Sequence, residues 1–140
     1  MEARNIMLNQ PAEISLKVPA EREYALVIRT ALGGVSVLKN LDVDAMDDLR
    51  TAADEAFDCL MHQSRKARTV EMQVYDSATH LTVVFQADLD PDAAQDCPDI
   101  TEISRAVLET LVAQADLSLC SCGCVSKITL TLPKAVAQLA

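Results

Sequence analysis

The sequence has no tryptophan and only four other aromatic residues, Tyr24, Phe57, Tyr75 and Phe85. Basic residues are scarce as well: 12 Lys+Arg stand against 21 Asp+Glu, a net charge of −9. A polyanion repels phosphate backbones, and a chain without aromatic platforms or a basic stripe has little with which to hold a nucleic acid. DNA and RNA are therefore excluded as expected partners. Nowhere do about 18 uncharged apolar residues follow one another. The start, Met1-Glu2-Ala3-Arg4-Asn5, is not a basic stretch leading into an apolar run. The expectation is a cytoplasmic protein with no membrane span. Cys-x-x-Cys pairs are missing too, and the five cysteines, Cys59, Cys97, Cys120, Cys122 and Cys124, are an odd number that does not suit a closed disulfide framework. They read as reduced thiols.

What is present suffices for a core. Of the 140 residues 50% are apolar and 24% charged, which fits one folded domain over 1–140 rather than a disordered chain. Residues 1–11 are expected to form a flexible N-terminus. Ile14, Leu16 and Val18 alternate with Ser15 and Lys17, the period of a strand with one buried face. After Pro19, the residues Tyr24, Val27, Ile28, Ala31, Val35 and Leu38 recur at helical spacing and predict a helix over 21–38 that Gly33-Gly34 should weaken or bend. A second helix opens at Asp42 or Asp44, where carboxylates favour the positive helix end, and runs to about His62 with Met46, Leu49, Ala53, Ala56 and Leu60 on one face.

Residues 64–69 read as a basic connector. Val70, Met72 and Val74, then Leu81, Val83 and Phe85, predict a hairpin turning at 76–79. From Gln86 to Asp99 the chain packs Asp88, Asp90, Asp92, Asp96 and Asp99 among Pro91 and Pro98, the composition of an exposed acidic loop. Ile100, Ile103, Val107 and Leu111 predict a third helix to about Ala115, followed by strands over 117–120 and 125–132 joined around Cys122-Gly123. The order β-α-α-β-β-α-β-β predicts an α/β (α+β) two-layer sandwich: one mixed, mostly antiparallel sheet with all three helices on one face.

Several stretches carry a likeness. Val18-Pro19-Ala20-Glu21-Arg22-Glu23-Tyr24 leading to Ile28-Arg29, then Leu32-Gly33-Gly34-Val35, Asp47-Asp48-Leu49, Ala53-Asp54-Glu55-Ala56 and Leu108-Glu109-Thr110-Leu111 resemble, in this order, the anti-sigma factor serine kinases of the GHKL (histidine kinase-like ATPase) superfamily. The resemblance covers about residues 12–133. It implies the GHKL fold, ATP with Mg²⁺ as cofactor, and a protein partner, either a sigma factor or an anti-sigma antagonist. A homodimer is the further association it allows.

The resemblance also implies site residues, and this chain departs from the pattern at each. Glu55 matches the family's catalytic base, but the Mg²⁺-holding Asn four residues on is replaced by Cys59. A neutral thiol is a poor ligand for a hard cation. Asp88 stands where the family receives the adenine, yet Asp90 and Pro91 occupy the glycine place and its neighbour. The phosphate-cradling stretch is Thr101-Glu102-Ile103-Ser104-Arg105, without glycine, and nearby carboxylates each repel a triphosphate by about 1 kcal/mol at ~4 Å in water. The expected function is thus a regulatory binding protein with weak or lost ATP binding and no cofactor. The alternatives are an ATP-dependent protein serine kinase using Glu55, or a metal or redox sensor built on Cys120, Cys122 and Cys124.

Plainer readings stand beside these. Glu55, Asp58, Cys59 and His62 share a helical stripe that suits a transition metal, but Asp58 with His62 is also simply a surface pair at i, i+4. Cys120-x-Cys122-Gly123-Cys124 reads as a soft-metal or oxidant-responsive cluster, or as a cysteine-rich turn with Gly123 at its tip. His80 joins no constellation.

Overall fold

The computed structural model describes residues 10–63, 66–90, 100–120 and 123–134. Strand β1 spans Ile14–Pro19, and a 3₁₀ turn over Arg22–Tyr24 leads into helix α1, Ala25–Leu38. Helix α2 covers Val43–Met61, and the hairpin β2 (Ala67–Asp76) and β3 (His80–Leu89) follows. Helix α3 (Ile100–Leu111), β4 (Gln114–Leu119) and β5 (Val125–Pro133) complete the order. The sheet runs β1-β2-β3-β5-β4, so the last strand inserts between β3 and the edge strand β4. Every pairing is antiparallel, which corrects the expectation of a mixed sheet.

Side-chain alternation makes the two layers. A row of apolar residues crosses all five strands in register, Leu16, Met72, Phe85, Ile128 and Leu117. These and their same-face neighbours Val70, Val74, Val83 and Leu130 join one core with Ile28 and Leu32 of α1, Leu49, Ala53, Ala56 and Leu60 of α2, and Leu108 of α3. All three helices therefore cover one face. Burying one such leucine contributes about 2 kcal/mol, and truncating Leu60 to alanine would cost about 2–5 kcal/mol. Met46, expected on the buried stripe of α2, is only half-buried at the helix start.

Local chemistry sets the boundaries. Asp42 caps α2 by accepting from the Ala45 N–H at 2.8 Å. α1 runs through Gly33-Gly34 without a break and ends in a Schellman turn: Asn40, at φ 58°, donates to Val37 O, and Leu41 donates to Ser36 O. At the other end of α2, the Gln63 side-chain amide donates to Val125 O and accepts from Val125 N–H, both at 2.7 Å, continuing the sheet's pairing pattern where β3 no longer reaches β5.

Three boundaries differ from expectation. β2 begins at Ala67, so part of the basic connector is strand, with a register shift at Arg68. β3 runs to Leu89, because Gln86 and Asp88 are outward-facing strand positions and not the start of a loop; residues 91–99 lie outside the described residues. α3 ends at Leu111, and Gln114 to Asp116 instead pair with Thr131 to Thr129 of β5. Most of the N-terminus read as flexible, residues 1–9, also lies outside the described residues. Among the described residues no helix is long and apolar enough to cross a membrane.

Candidate functional site

The packing of α3 on α2 brings two polar side chains together in an otherwise apolar contact. α2 exposes one face to the sheet through Ala53, Ala56 and Leu60, which leaves Glu55 and Cys59 on the side that α3 covers. Ser104 of α3 is 3% exposed and donates its hydroxyl to Glu55 Oε2 at 2.9 Å. Cys59, one helical turn after Glu55, is buried on the same side of α2. Burial pushes the Cys59 thiol above its ordinary pKa; the Ser104 hydroxyl opposes this and the Glu55 charge adds to it. At neutral pH the group is a neutral thiol, not a thiolate, and offers a hard cation nothing it prefers.

This face of α3 is not the one the periodicity favours. Ile103, placed on the predicted apolar stripe, is 66% exposed, while Ser104, Leu108 and Val112 point inward. The helix is rotated by one position, which carries Leu108 and Val112 into the core, and the Ser104 hydroxyl buried with them is satisfied by Glu55. In the sequence Ser104 stands only as part of the glycine-free stretch Thr101 to Arg105, and nothing there marks it as a partner of Glu55. The available signal was a serine in register with Leu108 and Val112 at i, i+4 and i+8.

Asp88 is elsewhere. On β3, Leu81, Val83, Phe85 and Ala87 face the helices, so Asp88 projects from the opposite side of the sheet. There it lies 3.4 Å from Arg68 Nε in an exposed ion pair. The structure therefore brings together Glu55, Cys59 and Ser104 and leaves Asp88 out. A cleft of about 290 Å³ at the start of α2, walled by Asp42, Asp48, Leu111 and Lys134, contains none of these residues.

The remaining candidates resolve as follows. His62 Nδ1 is 4.0 Å from Asp58 Oδ1 and both are half exposed, a surface pair on the last turn of α2. Among the described residues no group of three or more His, Cys, Asp or Glu side chains is arranged to hold a metal ion. At the β4–β5 turn Gly123 adopts φ 94°, as a tip glycine should, and the Cys120 N–H donates to Cys124 O at 2.7 Å. Cys124 is fully buried and disulfide-bonded, which corrects the expectation that all five cysteines are reduced thiols. Cys122 also lies outside the described residues. Comparison of the chain with protein-family models and with curated proteins finds no match.

Proposed function

We propose that the chain is an anti-sigma-factor-like regulatory protein, a histidine kinase-like ATPase domain that has lost its nucleotide chemistry and acts by holding a protein partner. The observation that carries this reading is the Ser104–Glu55 contact with Cys59 beside it. A general base must reach a substrate hydroxyl, and here the carboxylate is engaged by a buried serine of the protein itself. Where the resembled enzymes present an oxygen ligand to Mg²⁺, this chain presents a shielded thiol. The carboxylate suited to an adenine lies on the far face of the sheet, neutralised by Arg68. The five-stranded antiparallel sheet with three helices on one face is compatible with the GHKL type.

The partner is a sigma factor or an anti-sigma antagonist, and the net charge of −9 favours basic surfaces on it. Glu21 and Glu23, exposed just before α1, are placed to contribute. The test is affinity capture from the native extract at low and moderate salt, with mass-spectrometric identification, comparing the wild type with Glu21→Lys/Glu23→Lys. A sigma-like or antagonist-like protein should be recovered, less of it by the variant, whose stability should change by no more than about 0.5 kcal/mol because both charges are exposed. Recovery of no such protein by either form contradicts the reading.

A further inference from the structure

The β4–β5 turn carries two cysteines in different chemical states. Cys120 is half-buried and holds a thiol, whereas Cys124 is fully buried and disulfide-bonded. The turn sets them against each other: the Cys120 N–H donates to Cys124 O at 2.7 Å, and the Gly123 N–H donates to Cys120 O at 2.9 Å, with Gly123 at φ 94°. The pair follows Leu119 and Val125 as the next step of the ladder between the two strands. Neither cysteine belongs to the contact between Glu55 and Ser104, so their chemistry is independent of the functional reading above.

Opposed residues of an antiparallel ladder point to the same face of the sheet, and their Cα atoms stand about 5.5 Å apart where they are hydrogen-bonded. A disulfide needs about 4.4–6.8 Å between Cα atoms, so Cys120 is placed to bond Cys124 without a change of register. The position is held from outside the turn. Val125, next to Cys124, has both backbone groups engaged by the Gln63 side chain at the end of α2, each at 2.7 Å. Access then selects the attacking group. Cys124 has no exposed surface, which closes its sulfur to thiols from solvent, while Cys120 already lies on the same side of the turn.

We propose that Cys120 and Cys124 form an intramolecular thiol–disulfide exchange site. Cys120 gives up its proton, and the resulting thiolate attacks Cys124 Sγ. A Cys120–Cys124 bond forms, the existing bond at Cys124 breaks, and its electron pair leaves on the sulfur of the cysteine that Cys124 now holds. That sulfur takes up a proton in place of the one Cys120 lost. One disulfide replaces another, so no oxidant or reductant is consumed. The exchange changes which thiol the chain presents: Cys120 in one form, the displaced cysteine in the other.

The experiment uses the full chain purified without reductant and equilibrated under native conditions. Its thiols are alkylated with N-ethylmaleimide in acidic denaturant, where exchange stops, and peptic digestion with fragmentation mass spectrometry locates labels and bridges. A Cys120–Cys124 bridge should be found in at least about a tenth of the molecules. Label should be missing from Cys120 in the same fraction in which the cysteine displaced from Cys124 gains it. In Cys120→Ser, which circular dichroism should show folded, the cysteine bonded to Cys124 should stay unlabelled; Cys59→Ser should exchange as the wild type does. Alkylation of Cys124 in the wild type, a Cys120–Cys124 bridge below that fraction, or equal labelling of the displaced cysteine in Cys120→Ser overturns the proposal.

Discussion

Ser104 of α3 donates its hydroxyl to Glu55 of α2 across 2.9 Å, and Cys59 lies buried one turn along on the same side of α2. This polar contact joins the two helices beside the buried Leu108. Ser104→Ala removes the hydroxyl that donates to the Glu55 oxygen, and should lower the unfolding free energy by about 1–3 kcal/mol. Urea titration should show a lower midpoint with an unchanged slope. In a double-mutant cycle with Glu55→Gln, a coupling of at least about 0.5 kcal/mol is expected, whereas additive losses would mean that the two side chains do not interact.

The same contact predicts thiol behaviour. Burial and the neighbouring Glu55 carboxylate both disfavour the Cys59 thiolate, which is the reactive form. In the folded protein at neutral pH, Cys59 should resist alkylation, and the modification should become fast on adding denaturant. Peptide mapping by mass spectrometry reads this directly, and prompt labelling of Cys59 under native conditions would contradict the geometry.

The element order was legible in the sequence because the strands keep strict alternation on a two-layer core: Ile14, Leu16 and Val18 predict β1, and Leu49, Ala53, Ala56 and Leu60 predict the buried stripe of α2. Helix rotation was not legible. α1 carries apolar residues on two faces, and periodicity alone cannot say which one meets the sheet; α3 exposes Ile103 and buries Leu108 and Val112, and the Ser104 that this face carries inward is satisfied by Glu55. Ala113 and Ala115 suit a helix, but long-range pairing with β5 places Ala115 in a strand. Of the candidate site, Glu55 and Cys59 are the positions that the resemblance implies, and their i, i+4 spacing puts both on one face of α2. The placement of Asp88 outside it was available in the parity of β3, where it stands one residue after inward-facing Ala87.

Asn40 closes α1 in the left-handed region at φ 58°. Asparagine tolerates this conformation and glycine tolerates it better, whereas a β-branched residue does not. Asn40→Gly should leave the melting temperature unchanged or raise it, while Asn40→Val should cost about 1–2 kcal/mol. Equal stability of the two variants would argue against the Schellman turn.

Asp76, at the β2–β3 turn, accepts from Lys134 Nζ and Lys39 Nζ, each at 2.8 Å, and Lys39 also reaches Glu13. The hydrogen bond from Lys134, then that from Lys39, holds the Asp76 carboxyl below its ordinary pKa. Its folded pKa being lower than its unfolded one, the contribution is fully present above the unfolded value near 3.8 and is lost as pH falls through the folded value. Hydrogen bonds to Asp76 and Glu13 raise the Lys39 pKa above 10.5, so that contribution is present below 10.5 and lost at higher pH. Asp76→Asn should cost about 2 kcal/mol at neutral pH and flatten the acid limb of the stability profile. An acid limb identical to that of the wild type would contradict the assignment.

The function proposed above requires that this domain, whose sequence resembles nucleotide-dependent kinases, binds no nucleotide. Calorimetric titration of the full chain with ATP and Mg²⁺ tests it most directly. No saturable heat is expected up to millimolar nucleotide, and the same flat trace for Glu55→Ala. Saturable binding with a dissociation constant in the low micromolar range, abolished by Glu55→Ala or Asp88→Ala, would contradict it and restore the kinase reading.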